Sequence, residues 1–156
     1  MERGDEAWLR AALELARRAR ARGNHPFGAL LVGAGGATLL EAENTVVLER
    51  DPTGHAELNL VRRAGSLAPE VLAAATLYSS TEPCAMCAGA IYWAGIGRVV
   101  YGLSEAGLLA LTGAHEGNPT MRLGCRVVLG AGQRVVQVEG PALEDEARAV
   151  HDGFWS

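Results

Sequence analysis

The sequence predicts an α/β fold in which a mixed β-sheet is covered by helices. Three observations predict it. Two apolar extended segments joined by a glycine-rich turn open the chain after a first helix. Helical and extended patterns then alternate, which is the signature of parallel strands joined through helices. Apolar residues make up 49% of the 156 residues, enough to fill a core on both sides of a sheet.

The elements follow in order. Trp8, Leu9, Ala12, Leu13, Ala16 and Ala19 recur at helical spacing between Arg10, Arg17, Arg18 and Arg20, and Gly23 is placed to end that helix. Phe27 to Val32 and Thr38 to Val47 are the two extended segments, with Gly33-Ala34-Gly35-Gly36 turning between them. Pro52 and Gly54 break the chain before a helix from His55 to Ala64. Thr76 to Ser80 reads as a strand, Cys84 to Ala94 as a helix, and Arg98 to Tyr101 as a further strand. Ser104 is suited to cap a helix through Leu111, before a loop with Gly113, Gly117 and Pro119. Arg126 to Leu129 fits a strand or a helical turn equally, and Val135 to Glu139 fits a strand. Pro141 is expected to start a last helix whose first turn is acidic through Glu144, Asp145 and Glu146.

Composition narrows the function. A net charge of −4 argues against a general nucleic-acid binder, which carries a basic face. No apolar run reaches membrane-spanning length, and Met1 to Asp5 is polar rather than a secretory leader, so a cytoplasmic location is expected. Three cysteines, two of them in Cys-x-x-Cys, do not make a disulfide framework. Cys125 stands alone and reads as a buried apolar residue.

Two short motifs concentrate the chemistry: His55-Ala56-Glu57 and Pro83-Cys84-Ala85-Met86-Cys87. Cysteines at i and i+3 at a helix start share a face and are favoured as thiolates by the helix dipole. Taken alone, Cys-x-x-Cys suits a redox pair as well as a metal site. Joined to His55 it offers one imidazole and two thiols, a zinc set with an open fourth position and the Glu57 carboxyl beside it.

His-x-Glu and Pro-Cys-x-x-Cys at two helix starts resemble the cytidine deaminase-like superfamily of zinc deaminases. The resemblance runs from Pro26-Phe27-Gly28-Ala29 through Asn44, Asp51-Pro52-Thr53 and both metal motifs to Gly97-Arg98-Val99-Val100-Tyr101. It implies one domain over residues 1–156, a three-layer α-β-α sandwich on a five-stranded mixed sheet. It also implies zinc held by His55, Cys84 and Cys87, Glu57 as proton shuttle, and Ala56 against the substrate.

Within the superfamily, Gly89-Ala90-Ile91-Tyr92-Trp93-Ala94 and Pro26-Phe27-Gly28 resemble bacterial guanine deaminases, which implies conversion of guanine to xanthine and ammonia. Asp51-Pro52-Thr53, Cys87-Ala88-Gly89-Ala90 and Ile96-Gly97-Arg98-Val99-Val100 are similar to tRNA adenosine deaminases. Here, however, Glu144, Asp145, Glu146 and Asp152 make the last helix acidic and repellent to phosphate. Cytosine, an aminotriazine or another amino-heterocycle or nucleoside are the alternative substrates. A structural zinc module is the non-enzymatic alternative, although such sites usually close with four protein ligands.

By the same resemblance Asn44 hydrogen-bonds the base, although its residue type also suits a turn. Phe27 and Trp93 are candidates to stack on the base, and either also suits the core. Glu116 is the candidate second acid that reads the base's N–H groups; a solvated loop glutamate is the plain alternative. Trp155, in the tail Phe154-Trp155, is expected to close a substrate pocket or to anchor the last helix. The expected partner is a small nucleobase, with neither a membrane nor a nucleic acid; the resemblance also implies a second copy of the chain, with C-terminal segments exchanged as in guanine deaminases of this type.

Overall fold

The computed structural model describes residues 1–156. Helix α1 (Asp5–Ala21) precedes β1 (Gly28–Val32) and β2 (Thr38–Glu43), followed by α2 (Ala56–Ala64), the short α3 (Pro69–Ala73) and β3 (Thr76–Thr81). Next come α4 (Ala85–Ala94), β4 (Arg98–Leu103), α5 (Glu105–Thr112), α6 (Cys125–Gly130), β5 (Gln137–Glu139) and α7 (Glu144–Ala149). The strands form one mixed sheet in the order β2-β1-β3-β4-β5. β1 is antiparallel to both β2 and β3, while β3, β4 and β5 run parallel.

Strand alternation divides the core between the two faces. Ala29, Leu31, Leu77, Val99 and Tyr101 pack with Leu60, Ala88, Ile91 and Leu129 of α2, α4 and α6. Their neighbours Leu30, Val32, Tyr78 and Val100 point the other way, onto Leu9, Ala12 and Leu15 of α1. Leu103 and Leu108 extend that second layer onto Ala147 and Val150 at α7. Helices therefore cover both faces of a five-stranded mixed sheet, as the resemblance implies.

Gly28 shows how closely α1 approaches. A Cβ there would lie 2.5 Å from the Leu15 Cβ and 2.6 Å from the Ala16 nitrogen. Any side chain at this position would push the helix off the sheet.

Two expectations change and one open reading is settled. The second extended segment ends at Glu43, because the Asn44 Oδ1 accepts from the Val46 amide at 3.0 Å and turns the chain. Residues 126–129 are helical, with Leu129 facing the core. The last helix begins at Glu144 rather than Pro141: Leu143 takes a left-handed φ of 53°, and the Ala142 amide donates to the Gly102 carbonyl. The acidic first turn of that helix is as expected.

Candidate active site

One edge of the sheet gathers the chemistry. Because β1 is antiparallel to β3, the start of β1 lies beside the end of β3, and the end of β2 lies there too. Phe27, Asn44, Thr81 and, past the end of parallel β4, Glu105 therefore converge on one cleft, which His55, Glu57 and Cys84 also line. This is the carboxyl edge of the parallel strands, where open α/β sheets characteristically bind ligands.

The metal donors come from two helix starts. His55 is the N-cap of α2 and Cys84 the N-cap of α4, with Cys87 one turn further on. The His55 Nδ1 is 3.5 Å from each sulfur, and all three donor atoms lie within 4.8 Å of one another. The Cys87 hydrogen bond, with His55, holds the Cys84 thiol down at about 4, while Cys84 and burial push the Cys87 thiol up. Two thiols and an imidazole this close fit a zinc ion with one position left open.

Glu57, in the first turn of α2, is buried beside these donors. Burial, reinforced by the neighbouring Cys84, raises its carboxyl to about 7. The turn ahead of α2 is pinned by Asn59, whose Nδ2 donates to the Glu43 carbonyl and to the Thr45 Oγ1, both at 2.9 Å. That clamp sets Asn44 over the start of α2. Since the Asn44 Oδ1 is engaged by Val46, its amide N–H groups remain for the cleft.

Several cleft residues escaped the sequence. Glu82 lines the cleft and caps two helices at once, accepting from the Glu105 amide at 3.0 Å and the Cys125 amide at 2.8 Å. Asn118 and Leu108 add to the wall, and the Thr81 hydroxyl is buried there without a hydrogen-bond partner. The acidic character of Glu82 and Glu105 was visible, but only the β3–β4 pairing brings them together.

Four expected substrate residues do not line the cleft. Glu116 sits exposed on the loop after α5. Trp93 is 85% exposed on the outer side of α4, over an apolar strip with Val61, Leu72 and Ala90. Ala56 is fully buried in the core beneath the helices. Trp155 packs on its own chain, against Phe27 and beneath Phe154, and its Nε1 donates to the His151 Nδ1 at 2.9 Å. It stands one ring behind the cleft wall, in the anchoring role. Cys125 is buried in the core, with its thiol raised to about 12 by burial and by Glu82.

An α/β sheet with a three-donor metal cluster and a buried carboxyl at its strand ends defines a zinc-binding deaminase domain. Residues 2–103 match the cytidine and deoxycytidylate deaminase zinc-binding region, and the chain belongs to that family of hydrolytic deaminases. A probable cytosine deaminase of Schizosaccharomyces pombe is 42% identical over 151 residues, covering 97% of this chain and 92% of that one. The Bacillus subtilis guanine deaminase is 47% identical over 77 residues, 49% of each chain. Among solved structures, a guanine deaminase from Nitrosomonas europaea superposes with a TM-score of 0.73 at 27% identity, over 93% of this chain and 81% of that one. No helix is long and apolar enough to cross a membrane.

Proposed function

We propose that the whole chain, residues 1–156, acts as one zinc-dependent hydrolase that deaminates a free aminated nucleobase. The observation that carries this reading is the His55–Cys84–Cys87 cluster with Glu57 buried beside it, at the floor of a cleft walled by polar side chains. His55, Cys84 and Cys87 hold the zinc, which when bound supplies Lewis acidity that lets water ionise near neutral pH. Glu57 takes the proton of the attacking water and passes it to a ring nitrogen, making the amine-bearing carbon electrophilic. Glu57 then takes the remaining proton from the added hydroxyl and delivers it to the departing amine, so that the C–N bond breaks, a carbonyl forms on that carbon and ammonia leaves. Asn44 orients the ring through its free N–H groups, and Phe27 forms a flat wall against it.

Cytosine is the first candidate, because the relative that matches nearly end to end is a probable cytosine deaminase. Guanine is the second, favoured by the guanine deaminases among the structural and sequence relatives. The acidic first turn of α7 speaks against a phosphate-rich tRNA partner. The exposed Trp93 strip supports assembly as a homodimer.

Ammonia release from the zinc-loaded protein tests this reading, using cytosine, guanine, adenine, their nucleosides, an aminotriazine and tRNA. The expected result is turnover of a free base at a kcat/KM at least roughly tenfold above that of its nucleoside. Turnover of tRNA alone, or of nothing in the panel, would overturn the reading.

A further inference from the structure

We infer that Glu105 is a specificity-determining residue of the cleft, whose carboxyl accepts a hydrogen bond from a ring N–H of the substrate base. The inference rests on the free-base reading above and names the contact that selects the base.

Glu105 is the first residue of α5, and three separate contacts hold it in place. The β3–β4 register pairs Thr81 with Leu103 and so sets the point where the chain leaves the sheet. Ser104 caps α5, its Oγ accepting from the Gly107 amide at 3.0 Å. The Glu105 amide itself donates to the Glu82 Oε1.

Its carboxyl is half-buried, lines the cleft, and makes neither a salt bridge nor a side-chain hydrogen bond within the protein. The carboxyl's charged neighbours are the Glu82 and Glu57 carboxyls, the Cys84 thiol and the His55 imidazole, and none of them hydrogen-bonds it. A half-buried carboxyl facing the cleft with no protein donor is free to accept from the ligand.

A second, independent observation points the same way. The Thr81 Oγ1 is buried in the same wall, on a residue only 4% exposed, and has no partner. Asn118 donates its Nδ2 to the Thr120 Oγ1 at 2.8 Å, which leaves its Oδ1 as a further acceptor. The wall from β3, β4 and the following loop thus offers the Glu105 carboxyl and the Asn118 Oδ1 as acceptors and the Thr81 hydroxyl as either, while Asn44 brings donors to the same cleft. A heterocycle with ring N–H on one edge and a carbonyl or ring nitrogen on another complements this pattern. A base methylated at that N–H does not, because the carboxyl would be left desolvated and unpaired.

The test uses zinc-loaded wild type, Glu105→Gln and Glu105→Ala, with zinc content and Tm measured for each. Substrates are cytosine, guanine and each of their singly ring-N-methylated forms. The wild type should reject one methylated form of its base. In Glu105→Ala, kcat/KM for the unmodified base should fall about 10- to 100-fold, mainly through KM. The penalty for the rejected methylated base should shrink by a similar factor, with zinc content unchanged. If the penalty is the same in wild type and both variants, the inference is overturned while the deaminase reading stands. If the wild type releases ammonia from no base, both fall together.

Discussion

β3 and β4 carry a buried polar cluster at each end, and the two are finished differently. Toward the start of the strands, Asp5 of α1 sits between Tyr78 and Arg98. Its Oδ1 accepts from the Tyr78 hydroxyl at 2.7 Å and from Arg98 Nη1 at 3.0 Å, and its Oδ2 accepts from Arg98 Nη2 and the Glu2 amide, both at 2.7 Å. Burial pushes the Asp5 carboxyl up, but the hydrogen bonds from Arg98 and Tyr78 outweigh it and hold it at about 2. At the opposite end, Thr81 and Glu105 are left without partners beside three metal donors and Glu57. The closed cluster ties α1 to the sheet. The open one keeps bonding capacity for a ligand, which is the physical difference between a staple and a site.

Breaking the closed cluster should have the largest effect on stability. Arg98→Met leaves Asp5 buried without its charge partner, and is expected to cost about 3–5 kcal/mol, a fall in Tm of roughly 10 °C. Thermal unfolding at pH 7 checks this. A loss under about 1 kcal/mol would mean the cluster is not what holds α1 in place.

Next in size is an acid effect at the aromatic tail. Burial, aided by Arg20, holds His151 down at about 4, and its Nδ1 accepts from the Trp155 indole. Because the folded value lies below the unfolded value of roughly 6.5, this group's stabilisation is complete above that pH and is lost as pH falls through about 4. About 3 kcal/mol should disappear from this group between pH 7 and pH 4. His151→Phe should be less stable than wild type at pH 7 but flatter over that range. Parallel pH profiles would remove His151 as the source.

The smallest effect sharpens the contrast most. Thr81→Val removes a hydroxyl that the protein itself leaves unpaired. Stability should change by less than about 0.5 kcal/mol, or rise, while KM for the base increases several-fold. A Tm loss comparable to that of Arg98→Met would show that Thr81 belongs to the scaffold instead.

How much of this was legible in the sequence follows from the range of the interactions. Helices α1, α2 and α4 and the first four strands are local patterns of spacing and capping, and each appears where periodicity places it except that β2 stops at Glu43. The three metal donors were legible because His-x-Glu and Cys-x-x-Cys each fall within a single helical turn. Glu105, Thr81, Glu82 and Asn118 carry no local signature. They meet only through the pairing of β3 with β4 and the course of the loop after α5. Glu116, two residues from Asn118, shows the limit: sequence alone does not tell neighbouring loop positions apart, and here Asn118 lines the cleft while Glu116 is exposed. For Trp93 the deciding factor is helical phase around α4, which sets it on the exposed side and not on the cleft of its own chain. The helix α3 was missed although Pro69 at its first position is a legible start signal.

The central claim is that the open cluster is catalytic, with Glu57 moving protons beside a zinc held by His55, Cys84 and Cys87. Ammonia release and zinc content measured together on Glu57→Gln test it most directly. Zinc should stay at the wild-type stoichiometry while kcat falls by about 10²–10⁴-fold on whichever base the wild type accepts. A variant that keeps its zinc and turns over at the wild-type rate would contradict it.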